Sequence, residues 1–297
     1  MTIMRPDGDF WNTECGVGSL DLQVAAARAM AARGPDPLAV DPFAEIFLRA
    51  AGGEWAALLD HAATDNPLTD NDFGVFFQEL QAARIHYFDH YLRDATNSGL
   101  RQVVIVAAGL DARAYRLSWP DDTVVYEVDR PAVLEFKQRA ISGAGHKPRT
   151  ERREVPVDPD GAWPPALREC GFDPRAGTAW LIEGLLPYLS TDSRARLFES
   201  VDALSASGSR IAADERGVAP PEVIAAAEAE SGGGDWIRLI YSETHTEAAT
   251  WFAARGWTSE RIALLDYLAR HGRLSAEPGA GPTAPRSLAG LITAVRP

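Results

Sequence analysis

A chain of 297 residues, 46% hydrophobic and 24% charged, has the size and make-up of a soluble globular protein built as one large domain or one domain with a cap. With 42 acidic against 29 basic residues its net charge is −13, which argues against nucleic acid as a partner, because phosphate-rich ligands need clustered Lys and Arg. Cys15 and Cys170 are too few for a disulfide framework or a metal cluster. No secretory pattern and no apolar run of about 18 residues is present, so the expectation is a cytoplasmic protein with no membrane partner.

In chain order, Ser19 can cap a first helix whose Leu20, Val24, Ala27 and Met30 share one face, stopped by Gly34-Pro35. A second helix is predicted near Asp41-Pro42, with proline at its first position. A third runs from about Phe73 to Asp94; its Phe and Tyr residues at helical spacing read as core packing. From Gln102 the pattern becomes strand–helix–strand, with strands at 102–107, 123–128, 152–157, 178–183, 209–213 and 288–295. Pro131 and Pro164 stand where helices would begin. Two stretches fall outside this alternation. Residues 219–246, with Ser231-Gly-Gly-Gly234, read as an inserted helical segment, and 276–285 as a surface connection to the last strand. The alternation predicts an α/β protein with a mostly parallel sheet and helices on both faces. An N-terminal helical region (1–98) would pack on a core (99–297) that carries a cap insertion near 219–250.

The chemistry concentrates between Val103 and Asp129. An apolar strand (Val103, Val104, Ile105, Val106) ends in Ala107-Ala108-Gly109, and a second strand, Val124 to Val128, ends in Asp129. A strand, a glycine turn and a second strand with a carboxylate about twenty residues later is how an α/β sheet holds a nucleoside. Gly109 lets the backbone approach the ligand, and Asp129 can accept from both ribose hydroxyls. Dinucleotide binding would instead need G-x-G-x-x-G to seat a pyrophosphate on a helix N-terminus. Here the turn has one glycine, and Asp111 lies where phosphate would be repelled. A cationic or neutral ligand such as S-adenosylmethionine fits better than NAD. Gly109, Asp129, Asp158 and Glu183 all fall at predicted carboxyl ends of strands, where open α/β sheets bind ligands.

Ala107-Ala-Gly-Leu-Asp-Ala-Arg-Ala-Tyr-Arg-Leu117, Trp119-Pro120 and Tyr126-Glu-Val-Asp-Arg-Pro131 together resemble the leucine carboxyl methyltransferase family. The likeness is closest to its bacterial branch of S-adenosylmethionine-dependent methyltransferases similar to the tetracenomycin polyketide carboxyl methyltransferase. Ala27-Arg28-Ala29 with Asp41-Pro42-Phe43-Ala44, Arg84 with Tyr87-Phe88-Asp89, Val155-Pro-Val-Asp158 and Glu183-Gly-Leu-Leu-Pro-Tyr-Leu189 agree with it. These separated motifs cover roughly residues 20 to 210. The resemblance implies a Rossmann-like class I methyltransferase sheet with an antiparallel last strand, and S-adenosylmethionine as cofactor. It also implies that Arg84 pairs with the cofactor carboxylate and that Asp158 lies beside the adenine. Glu183 would face the methionyl part, where an ammonium or sulfonium would compensate its charge. Ala107, Gly109, Asp111, Arg130 and Gly184 complete the implied cofactor contacts. Pro159 departs from the leucine usual there, which weakens the adenine contact.

Methyl transfer from a sulfonium needs alignment and exclusion of water more than acid–base help. A carboxylate acceptor, with a pKa of about 4, is already ionised at neutral pH, whereas a phenol near about 10 would need a base. Tyr188, Arg28 and Arg113 are candidates for orienting a carboxylate; His245 and His86 are the histidines to consider as bases. Trp236, Tyr241 and Trp251 could line an apolar acceptor pocket or equally form the core of the cap. The reading that follows is an O-methyltransferase forming a methyl ester on a small-molecule acid. A protein C-terminal carboxyl methyltransferase and an NAD-binding oxidoreductase stand as alternatives.

Overall fold

The computed structural model describes residues 17–60, 66, 68–70, 72–216, 246–273 and 289–297. Four helices precede the sheet: α1 (Val17–Ala32), α2 (Ala44–Ala51), α3 (Gly53–Ala57) and α4 (Asp72–Asn97). Strands and helices then alternate as β1 (Gln102–Val106), α5 (Arg113–Arg116), β2 (Val124–Asp129), α6 (Pro131–Gly143), β3 (Glu151–Pro156), α7 (Trp163–Glu169) and β4 (Thr178–Ile182). A 3-10 turn at Leu186–Tyr188, α8 (Thr191–Ala203) and β5 (Arg210–Arg216) follow. The remainder is α9 (Ala248–Ala253), β6 (Thr258–Ala263), α10 (Leu264–Arg270) and β7 (Ala289–Val295).

The strands form one seven-stranded sheet in the order β3-β2-β1-β4-β5-β7-β6. β1 to β5 are parallel, and β7 runs antiparallel between β5 and β6. β1 and β4 are buried along their whole length, as central strands covered on both faces must be. One core face brings Leu22, Phe47, Phe88 and Leu92 onto Val103, Ile105 and Leu181; the other packs Trp163, Phe198 and Phe252 against Val104, Trp180 and Ile211. Because β1, β2 and β4 are in register (Val106 pairs with both Val128 and Ile182), their carboxyl ends share one rim. That rim positions the site.

The expected mostly parallel α/β sheet with an antiparallel last strand is what forms, and Pro131 begins α6 as expected. Local details differ. Val17 to Ser19 are already helical, so Ser19 lies inside α1 and is not its cap. Leu22, Ala25, Ala26, Ala27 and Ala29 are its buried apolar side chains, while Leu20, Val24 and Met30 are half-buried, because α1 packs against both α2 and α4. Pro42 precedes α2 rather than opening it. Asp41 Oδ1 accepts from the Phe43 N–H (3.1 Å), making a short turn that delays the helix to Ala44. β6 was not foreseen: Thr258-Ser-Glu-Arg-Ile-Ala263 is polar because it is an edge strand, where charge discourages further pairing. Most of the predicted cap and the whole 276–285 connection lie outside the described residues. No helix among the described residues is long and apolar enough to cross a membrane.

Candidate functional site

The turn after β1 is held in a conformation that side chains rarely adopt. Ala107 has φ 55° and Gly109 φ 44°. The left-handed region costs a non-glycine residue about 1–2 kcal/mol, so tertiary contacts must impose it at Ala107. Those contacts are visible. The Ala108 N–H donates to Val128 O (3.1 Å), and the Gly109 N–H donates to Asp129 Oδ2 (2.7 Å). Asp129 Oδ1 takes the Arg130 N–H at 2.7 Å. The carboxylate thus ties the glycine turn to the end of β2. Burial pushes the Asp129 pKa up, and the two amide bonds offset this only in part. A Cβ on Gly109 would stand 3.3 Å from Asp21 Oδ1, so glycine is also what admits that α1 side chain.

A second centre forms around Glu183, just past β4. Arg28 Nη2 lies 2.6 Å from Glu183 Oε1, Arg113 Nη1 2.7 Å from Oε2, and Arg84 Nη2 3.4 Å from Oε1. Burial alone would raise the Glu183 pKa, but Arg113, Arg28 and Arg84 outweigh it and hold it well below the usual carboxylate range. The compensating charge is therefore already in the protein, and the expectation that a ligand cation would supply it is corrected. Arg113 and Arg28 bind Glu183, so they are not placed as the acceptor-orienting donors they were read to be. Arg113 also pairs with Asp89 (2.9 Å) and with Asp111, whose oxygens accept from the Arg113 side chain and N–H. The charge of Asp111 is thereby neutralised inside the turn. Arg84 reaches Asp214 on β5 as well (Nε to Oδ2, 3.4 Å), and Asp214 Oδ1 accepts the Gly184 N–H at 2.6 Å. Gly184, at φ 73°, leaves the space for Arg84: a Cβ there would stand 2.9 Å from Nη2.

Other predicted residues fall nearby or away. Asp158 is half-exposed and pairs with Arg130 (3.2 Å), beside Asp129. Tyr188 follows β4 in the 3-10 turn; burial raises its pKa, and Arg216 and Arg84 counter this only in part. His86 bonds Tyr267 of α10 (2.6 Å) and stacks with His90 and His271, so it belongs to a helix contact and not to this cluster. Trp251 is partly buried and packs against the core on Phe198 and Phe252, under Arg255. His245, Trp236 and Tyr241 lie outside the described residues. Asp21, Asp214 and Arg216 were not foreseen. Their only sequence signal is position, at a strand end for Asp214 and Arg216, and no spacing rule links Asp21 to Gly109.

Asp129 keeps lone pairs for a diol, since each oxygen takes one amide. The Nε of Arg84 faces Asp214, and the buried Nε of Arg28 has no hydrogen-bond partner among the described residues. Among the described residues no group of three or more metal-ligating side chains could hold a metal. The sheet order, the antiparallel β7 and this rim define a class I S-adenosylmethionine-dependent methyltransferase fold, and the residues present fit that cofactor.

Comparisons agree. A family model described as leucine carboxyl methyltransferase matches residues 21–202. A provisionally named S-adenosyl-L-methionine-dependent methyltransferase of Mycobacterium sp. (strain KMS) is 50% identical over 276 residues, 91% of this chain and 92% of that one. One from Mycobacterium tuberculosis (strain ATCC 25177 / H37Ra), named likewise, is 46% identical over 303 residues, covering 99% and 100%. Among solved structures, a provisionally named methyltransferase from Thermobifida fusca YX matches 99% of both chains with a TM-score of 0.48 at 16% identity. The chain belongs to the leucine carboxyl methyltransferase family, and it is an enzyme that takes its methyl group from S-adenosylmethionine. The oxidoreductase alternative is set aside.

Proposed function

We propose that this methyltransferase forms a methyl ester on a small-molecule carboxylate. The observation that carries the reading is Tyr188, a half-buried phenol in the turn after β4, close enough to Arg84 and Arg216 to feel their charge. At neutral pH this phenol stays protonated, so it can donate to an acceptor that is already anionic and is no base for one that is not. Bound S-adenosylmethionine supplies an activated methyl group on a cationic sulfur. The protein's own residues bind and orient. Asp129 accepts from the ribose hydroxyls, Arg84 holds the cofactor carboxylate, Asp158 lies on the adenine side, and Gly109 and Gly184 let backbone come close. Glu183 acts as the hub that positions three arginines. Tyr188 orients the acceptor carboxylate so that one oxygen lies in line with the transferred carbon, and no proton moves.

The test is a screen of carboxylic acids, phenols and peptides with free C-termini, scored for base-labile methyl product. Small acids are expected to be methylated. Tyr188→Phe removes a hydrogen bond to a charged group, worth about 2 kcal/mol, and lowers kcat/KM by about 30-fold. Methylation of phenols in preference to acids, or a Tyr188→Phe enzyme with unchanged kcat/KM, would sink the reading; preference for peptides would move it to a protein acceptor.

A further inference from the structure

Gln81 stands one helical turn before Arg84 on α4, so the two side chains are neighbours on the helix surface. Gln81 is almost wholly buried, at 1% exposure, and its Oε1 accepts from Arg84 Nη1 at 2.9 Å. Among the described residues this is the hydrogen bond that the Arg84 guanidinium makes. The two carboxylates beside it, Glu183 at Nη2 and Asp214 at Nε, each lie 3.4 Å away as charge neighbours, and Nε has no hydrogen-bond partner. Arg84 is itself buried, so hiding its charge is offset by those two carboxylates while its direction is fixed by a neutral amide. That division of roles matters for an anionic ligand. A further carboxylate in place of Gln81 would fix the guanidinium equally well but would neutralise the charge that draws the ligand. An amide oxygen fixes it and leaves the charge.

We infer that Gln81 is a positioning residue for cofactor binding: its side-chain oxygen holds the Arg84 guanidinium at the angle that receives the cofactor carboxylate. This deepens the functional reading above and rests on its placing of Arg84 on that carboxylate. Gln81 acts through Arg84 and touches no reacting atom. Because both residues belong to one helix, the aim is set by α4 itself, before any ligand arrives. Nη1 keeps a second N–H beyond the one given to Gln81, and Nη2 carries its own, so donors remain for the paired contact that a carboxylate makes with an arginine. A guanidinium aimed in advance loses less rotamer freedom when the ligand binds, which is what a fixed partner such as Gln81 contributes.

S-adenosylhomocysteine and its decarboxylated analogue share the adenine, ribose, thioether and ammonium and differ in the carboxylate alone. Calorimetric titration of both into the full chain, as parent, Gln81→Met, Gln81→Glu and Arg84→Met, isolates that group. Methionine keeps the length of the Gln81 side chain and removes the acceptor. Gln81→Met is expected to weaken S-adenosylhomocysteine by about fivefold while leaving the analogue within about twofold. Gln81→Glu keeps an acceptor oxygen but adds a charge beside the ligand carboxylate, so it is expected to weaken S-adenosylhomocysteine at least as much and to spare the analogue. Weakening of both ligands by the same factor in Gln81→Met would make the residue merely structural and overturn the inference, as would no change in either. Parent-like binding of S-adenosylhomocysteine by Gln81→Glu would overturn the role given to its neutrality. An Arg84→Met variant that keeps the parent's preference for S-adenosylhomocysteine over the analogue would overturn the placing of Arg84 itself, a different failure. Thermal unfolding of each variant confirms that the ratios are read on folded protein.

Discussion

At the scale of residues, the site depends on a few side chains that organise backbone. Asp129 accepts the Gly109 and Arg130 amides, and in doing so helps impose the left-handed turn at Ala107 and Gly109. Asp129→Ala is expected to abolish measurable S-adenosylhomocysteine binding in calorimetry while the far-ultraviolet circular dichroism stays native. A variant that binds like the parent would show that the ribose is held elsewhere. Glycine matters in the same concrete way at 184, where an added methyl would meet the Arg84 guanidinium. The glycine at 109 and the acid at 129 were legible in the sequence because strand, turn and carboxylate stand at a spacing set by the fold. The partners of Glu183 were not, since Arg28, Arg84 and Arg113 come from three separate helices.

At the scale of elements, β2 and α6 are joined by charge as well as by apolar packing. Glu127 is fully buried in β2, with Lys137 Nζ of α6 at 2.7 Å and Arg152 of β3 at 2.6 Å. Burial would raise the Glu127 pKa, but Lys137 and Arg152 lower it below the ordinary value. Lys137 Nζ also donates to Asp111 O (3.0 Å), which ties the cofactor turn to the same helix. Removing one partner of a buried pair leaves an under-compensated charge. Lys137→Met is therefore expected to cost about 3 kcal/mol in urea unfolding, the low end of such losses because Arg152 remains. A change within about 0.5 kcal/mol would show that Arg152 suffices. The sequence displayed Glu127 inside an apolar strand without indicating what neutralises it. The edge strand β6 escaped notice for a related reason, as its polar residues satisfy an exposed edge rather than a core pattern.

At the scale of the whole molecule, an acidic chain holds its buried arginines with buried carboxylates, and stability must follow pH accordingly. Asp89, Glu127 and Glu183 have folded pKa values below their unfolded ones, because burial is outweighed by arginine or lysine partners. Their stabilisation is complete above the unfolded carboxylate pKa of about 4 and is lost as pH falls through the folded values. Asp129, raised by burial, acts with the opposite sign, and being one group it only blunts the loss. His86 is pushed down to about 4 by burial and by its neighbours His90 and His271. The unfolded chain then takes up the imidazole proton first, so stability also declines from about pH 6.5 towards that value. Urea midpoints measured from pH 7 to pH 3 are expected to fall gently to about pH 4 and steeply below it. A flat profile down to pH 3 would mean that the buried ion pairs do not favour the folded state.

The sequence by itself determined the alternation that makes the sheet, the strand-end positions of Gly109, Asp129, Asp158 and Glu183, and the family to which the chain belongs. Those features are local or periodic: a strand must alternate or run apolar, a turn must have its glycine, and both repeat at spacings the fold imposes. Only the tertiary structure decided which charges meet. It brought α1, α4 and α5 onto one rim so that three arginines neutralise Glu183, and it laid Asp21 against Gly109 across 87 intervening positions of sequence. Electrostatic pairing acts through space and leaves no period in the chain, so its partners become known only once the helices have packed.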